Sequence, residues 1–189
     1  MKPWLFYSLA FAVVAGIVLL ALSLGERAEE LTVEDVRRDG FHLSGADLVQ
    51  LVASPGTEVV VGEGMARAVM VSSRAGSPPS AGVFATLIPA HEAAFSGRPV
   101  EMVWRIRRPA GAGRVELGYF TLGGGDTGWR TVEVGEEWTD ATLTFTPGAT
   151  EEEGYDYAGL WPGVGEPSPS EKGADVVEIE SVTVRLADP

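Results

Sequence analysis

The chain has 189 residues, 45% of them hydrophobic, a formal net charge of −13 and no cysteine. That length allows one domain of ordinary size plus a tail, and the missing cysteine excludes disulfides and thiolate metal sites. A body this acidic repels phosphate backbones and bare anionic lipid surfaces, so nucleic acid is not expected as a partner.

The first element is "WLFYSLAFAVVAGIVLLALSL", Trp4 to Leu24, which carries no charge. As a helix it would rise about 31 Å, close to the hydrocarbon thickness of a bilayer. A cleavable signal has a shorter apolar stretch of about 7 to 15 residues, although Ala21 and Ser23 loosely fit a cleavage site. Residues 1–25 therefore read as a signal anchor, one N-terminal transmembrane helix. Lys2 precedes it and "GERAEE" after it is net acidic. Positive charge stays cytoplasmic, which predicts a single-pass protein of the cell membrane with its body on the extracytoplasmic, periplasmic side. Trp4 and Tyr7 fit an interfacial aromatic anchor.

Residues 26–50 read as a juxtamembrane linker. Within it "ERAEELTVEDVRRDG" offers a short helix ending at Gly40 or a solvated stretch, since Leu31, Val33 and Val36 are few apolar positions. From about Phe41 the pattern changes to short apolar runs punctuated by Gly, Pro, Ser and Asp, the signature of strands. "TEVVVG", "MARAVMVSS" and "AGVFATLIP" come first. "PVEMVWRIRRP" then sets Val100, Met102, Trp104 and Ile106 on one face and Glu101, Val103, Arg105 and Arg107 on the other. "GRVELGYFTLG" groups Val115, Leu117 and Tyr119, "RTVEVG" Val132 and Val134, and "DATLTFTP" Ala141, Leu143 and Phe145. In "VVEIESVTVRL" the apolar phase switches at Glu180-Ser181, which predicts a β-bulge that re-aims Glu180. Eight or nine strands with no convincing helix among them predict an all-β, antiparallel sandwich over residues 51–189.

"AFSGRPVEMVWRIRR", "GWRTVEVGEEWTDATLTFTP", "YDYAGLWPG" and the closing "VEIESVTVRL" together resemble the jelly-roll β-sandwich of carbohydrate-binding modules, the galactose-binding-like fold. The resemblance covers roughly Leu51 to Leu186. It implies exposed aromatics that hold sugar on the concave sheet face or on end loops. It also implies a structural calcium near the first and last strands, with Glu180 standing where an Asp ligand is common. Calcium needs six to eight oxygens, and a solvated glutamate on an edge strand is the plainer reading of Glu180.

An aromatic ring stacks on the apolar face of a pyranose while charged and amide groups bond its hydroxyls. The candidates for such contacts are Trp129, after the loop "LGGGDTG", with Arg130 beside it, and Trp138, Tyr155, Tyr157 and Trp161; the resemblance implies that Trp138 packs beneath a turn, and Trp104 fits the core. Tyr155, Tyr157 and Trp161 share one phase and point together, either into the core, which Trp161-Pro162 as a strand end favours, or onto a surface. Arg105 and Arg107 make a basic stripe that could bond hydroxyls or a uronic carboxylate. Otherwise they pair with Glu116 across a neighbouring strand.

Catalysis has little support. His42 and His91 lack metal-ligand partners at helical spacing, no Ser stands in a Gly-x-Ser-x-Gly context, and no glycine-rich run precedes a helix. What the resemblance then implies is non-catalytic binding of a polysaccharide. The alternatives are a protein-interaction module of an envelope assembly and, behind it, a small glycan hydrolase.

Overall fold

The computed structural model describes residues 31–61, 69–73, 82–121, 125–149, 154–162 and 176–187. The apolar segment Trp4–Leu24 lies outside them. Among the described residues no helix is long and apolar enough to cross a membrane.

The first described element is a helix, α1 (Val33–Asp39), the short helix before Gly40 that the sequence offered as one of two readings of this stretch. Thr32 caps it through a reciprocal box with Asp35, and Gly40 ends it at φ 72°. Acidic Glu34 and Asp35 in the first turn and basic Arg37 and Arg38 in the last complement the helix dipole. Val36 turns inward and is buried. The next strand, β1 (Phe41–Ser44), buries Phe41 and Leu43, and the short 3-10 turn Gly45–Gln50 buries Leu48. Residues from Leu31 onward belong to one compact unit. The expected linker 26–50 is corrected for its described part: residues 31–50 supply a helix, a strand and core side chains. The four apolar anchors are spaced too irregularly for either period to reveal them.

Two antiparallel sheets follow. The first has the strand order β3 (Thr57–Val61), β4 (Val69–Ser73), β11 (Val176–Leu186), β6 (Val100–Arg107) and β9 (Thr139–Phe145), with β1 also paired to β11. The second runs β2 (Val52–Ala53), β5 (Val83–Leu87), β10 (Asp156–Trp161), β7 (Gly113–Phe120) and β8 (Arg130–Val134). Their inner faces supply one core. Val100, Met102, Trp104 and Ile106 of β6 are fully buried, as are Val115, Leu117 and Tyr119 of β7 and Val83, Ala85 and Leu87 of β5. Tyr119 and Phe145 meet across the two sheets at 4.6 Å between ring centres. This is a β-sandwich, as the period-two alternation predicted.

The register between β11 and β6 shifts between Ile179 and Ser181, where the apolar phase switches in the sequence. The expectation of no helix after Phe41 is corrected by α2 (Pro89–Phe95). Pro89 starts it at a position where the missing N–H costs nothing, and His91, Ala94 and Phe95 bury one side. Seven residues are too few for a helix to hold itself, so packing against β5, β10 and α1 sustains it.

One polar pair is sealed in the core. The Tyr119 hydroxyl donates to Oδ2 of Asp156, and both residues are buried. Burial pushes the Asp156 carboxyl above its usual range, against the hydrogen bond that favours its charged form. Burial likewise raises the Tyr119 phenol. Asp156 thus holds its proton more tightly folded than unfolded. Its contribution to stability is full below about pH 4 and is lost as pH rises through the folded value. Asp156→Asn keeps a carbonyl acceptor for Tyr119 without the charge. Thermal melts should show the variant gaining on the parent chain as pH rises from about 4 through the folded value and keeping that gain above it; a difference constant from low pH upward would contradict the raised carboxyl.

Candidate functional site

Each sheet turns one face to solvent, and the two outer faces differ in chemistry. On the first sheet the outward phase carries charges that pair across strands. Arg105 bridges two neighbours, with Nε donating to Glu180 and Nη1 to Asp140 at 3.1 Å. Arg107 donates to Glu178 at 2.6 Å and lies over the Trp138 ring, 4.7 Å from its centre. Arg185 pairs with Glu101 at 2.7 Å. Between the Arg105 and Arg185 pairs runs a shallow groove of about 350 Å³, also lined by Val103, Ser181 and Thr183.

Arg105 and Arg107 are therefore placed on the sheet opposite Trp129. The sequence reading of Glu116 as their partner is corrected too, because Glu116 belongs to β7 of the other sheet. The bulge does re-aim Glu180, and it points the carboxylate at Arg105. A second small depression beside it is lined by His42, Ser44, Gly45, Glu180 and Ser181. Those residues offer one carboxylate, already committed to a guanidinium, so they do not fit calcium, which takes six to eight oxygens. Among the described residues no group of three or more His, Asp or Glu side chains is placed to hold a metal.

The second sheet's outer face is aromatic. On β5 the inward residues are Val83, Ala85 and Leu87, which leaves Phe84 and Thr86 outward. On β7 the same alternation sends Glu116, Gly118 and Phe120 outward, and on β10 it sends Tyr157, Gly159 and Trp161 outward. Register lines these up: Val52 opposite Phe84, Phe84 opposite Gly159, Gly159 opposite Gly118, and in the next row Thr86, Tyr157 and Phe120. Trp129, just before β8, folds over the same spot. Phe84 lies 6.1 Å from both Phe120 and Trp129 and 6.4 Å from Tyr157. Phe120 and Trp129 are 5.0 Å apart, and Trp129 is 6.4 Å from Trp161. Tilted and edge-on ring pairs of this kind contribute about 0.5–1.5 kcal/mol each beyond their burial.

Five rings thus form one cluster. Phe84, Phe120 and Trp129 are half-buried, Tyr157 is 36% exposed and Trp161 only 3%. Tyr155, in the same phase just before β10, is 47% exposed, and Ile88, just after β5, is 41% exposed. The core reading of Tyr155 and Tyr157 is therefore corrected: their phase is the outward one, and only Trp161 of the three is covered. Arg130 follows Trp129 in sequence but pairs in register with buried Leu117, so alternation turns it away from the rings. It is exposed, with Nε donating to the Thr127 carbonyl at 3.1 Å. Phe84 and Phe120 were missed by sequence reasoning. The signal was present: each is a large apolar ring on the wet phase of its strand.

The potential acid–base groups lie elsewhere. His91 is buried against Phe41, and burial lowers its pKa, so it stays neutral near pH 7. His42 faces the first sheet's outer side, with Nδ1 2.8 Å from the Thr183 hydroxyl. Glu92 is buried and accepts the Gly154 N–H at 2.7 Å. If Glu180 is not a metal ligand, the full chain and its Glu180→Gln variant should show the same response, or none, to EDTA and added calcium in thermal melts. A calcium shift lost only in the variant would restore the metal.

No family model matches the sequence, and no curated protein matches it either. Solved structures do. The CBM22-2 xylan-binding domain of Paenibacillus barcinonensis Xyn10C superposes with a TM-score of 0.54 at 12% identity, covering 78% of this chain and 99% of that one. The second N-terminal cellulose-binding domain of Cellulomonas fimi β-1,4-glucanase C gives 0.51 at 15%, covering 77% and 92%. The CBM22-1-GH10 modules of Clostridium thermocellum xylanase 10B, complexed with xylohexaose, give 0.52 at 12%, covering 78% and 29%. At such identities the likeness speaks to fold: the chain folds as a jelly-roll β-sandwich like those of carbohydrate-binding modules.

Proposed function

We propose that this protein is a non-catalytic, membrane-anchored module that binds a neutral polysaccharide outside the cytoplasm. The observation that carries the reading is the aromatic outer face of the second sheet. Its central described residues, Val52, Phe84, Thr86, Tyr157, Phe120 and Trp129, bear no charge on a chain of net charge −13. Arg114, Glu116 and Glu133 lie on the outward phase toward one end of β7 and β8. Rings that stack on pyranose faces, with hydroxyls from Thr86 and Tyr157 beside them, suit a neutral sugar chain and offer nothing to a uronic carboxylate.

Structures of the same fold are named for binding xylan and cellulose, which supports the ligand class. Support for a non-catalytic role comes from the carboxylates. Glu92 and Asp156 are buried, and those around the opposite groove are held by arginines. Support for the anchor and for the extracytoplasmic side comes from the uncharged Trp4–Leu24 segment and Lys2 before it.

Calorimetry of the full chain in detergent, titrated with soluble xylan and β-glucan, tests the ligand. Trp129→Ala and Tyr157→Ala should each weaken binding at least about tenfold, or about 1.4 kcal/mol. Arg105→Met should bind as the parent chain does, and added salt should matter little. Binding of neither glycan, or equal binding by the Trp129 and Tyr157 variants, would sink the reading and leave the face to a protein partner. For the topology, protease added to intact spheroplasts should digest a tag at the C-terminus. Protection of that tag would reverse the orientation.

A further inference from the structure

The inner edges of three rings from three separate segments meet over one residue, Gly159 in the middle of β10. A Cβ placed there would lie 2.9 Å from Cε1 of Phe84, 3.0 Å from Cη2 of Trp129 and 3.1 Å from Cε2 of Phe120. Carbon atoms in comfortable contact stand about 3.5–4.0 Å apart, so even a methyl group needs all three rings to move. Its register partner Gly118 would meet Phe120 at 2.7 and 2.8 Å. A Cβ at Gly82 would meet the Leu160 carbonyl oxygen at 3.0 Å and Cη2 of Trp129 at 3.1 Å.

None of these glycines has positive φ, so the backbone does not ask for glycine at any of them. Glycine inside a strand weakens it and commonly marks a place where another group must come close. Here two sit side by side on central strands. The groups that come closest to both are rings of the outer face, with the Gly128 carbonyl oxygen also 3.1 Å from a Cβ at Gly118.

We infer that Gly159 is the positioning residue of the aromatic face: its bare backbone lets Phe84, Trp129 and Phe120 settle against the sheet and so sets the height and tilt that the three rings present to a sugar chain. The inference deepens the polysaccharide-binding reading and rests on it for the ligand, while its geometric part stands on the ring contacts alone. Gly159 touches no ligand in this scheme. It acts through the rings.

The test is Gly159→Ala in the full chain, with Gly118→Ala, Trp129→Ala and Phe84→Ala alongside. The rings are open to solvent on their outer side and can swing outward, so the melting temperature should change little. The near-ultraviolet circular dichroism of the unliganded protein should change more for Gly159→Ala, which displaces three rings, than for Gly118→Ala. Affinity for soluble xylan or β-glucan should fall at least tenfold for Gly159→Ala and less for Gly118→Ala. In a Phe84→Ala background the loss from Gly159→Ala should shrink, because one displaced ring is already gone. A purely structural defect would instead lower the melting temperature and add fully to the Phe84 variant. An unchanged near-ultraviolet signal overturns the inference. So does Gly159→Ala that binds normally while Trp129→Ala does not, or a loss undiminished in the Phe84→Ala background. If the parent chain binds neither glycan, the polysaccharide reading falls, and the near-ultraviolet signal still decides whether Gly159 places the rings.

Discussion

A β-strand sends successive side chains to opposite sides, and in a sandwich one side is always the shared interior. Whatever is not in the interior is presented outward in rows fixed by the register, with no freedom to regroup. Each sheet of this protein obeys that constraint, and the two outward displays share almost nothing. On one, arginines and carboxylates from β6, β9 and β11 pair off across the strands, Arg105 with Asp140 and Glu180, Arg107 with Glu178 and Arg185 with Glu101. Exposed pairs of this kind contribute little each, roughly 0–1 kcal/mol, but they leave no strong unbalanced field across that face. On the other, rings from β5, β7, β10 and the segment before β8 gather over glycines. The division of labour follows from which phase of which strand carries which residue.

Large rings left outward carry a cost unless something covers them, and here they partly cover each other. Trp161 is almost wholly shielded though it lies on the outward phase, while Tyr155 and Tyr157 remain open. The face thus grades from a sealed end to an exposed one. A surface built this way is stiff where rings brace rings and accessible where they end, which is what a site needs to bind without first ordering itself.

Much of this architecture was legible in the sequence. The alternation in "PVEMVWRIRRP" and "GRVELGYFTLG" identified β6 and β7 together with their inward residues, and the phase switch at Glu180-Ser181 located the bulge. What escaped has physical reasons. Helix α2 has seven residues, too short for a 3.6-residue period to stand out, and it owes its existence to tertiary packing; α1 is as short, and its few apolar positions left the helix as one of two readings of that stretch. Strand β1 has four residues and is held by β11, more than 130 positions away in the chain. The site was half legible. Trp129 drew notice from its loop, but its neighbours in space, Phe84 and Phe120, are 45 and 9 residues distant in sequence, and only the order of the strands brings the three together. Glu116 stood as a partner for Arg105 and Arg107 because nothing in a sequence says which sheet a strand will join.

The irregularity at Glu180 has one more effect. Strand β11 borders β6 along one side through most of its length, but on its other side it serves two neighbours in turn. Residues Val176–Ile179 lie beside β4, and Ser181–Val184 lie beside β1. The extra residue falls at the handover. One continuous strand therefore joins the earliest strand of the domain to the hairpin of β3 and β4, and the skipped position lets each half keep its own inward set without a break in the chain. Removing that residue would force one guest strand to accept the other's phase, so the length of β11 is as strictly specified as its composition.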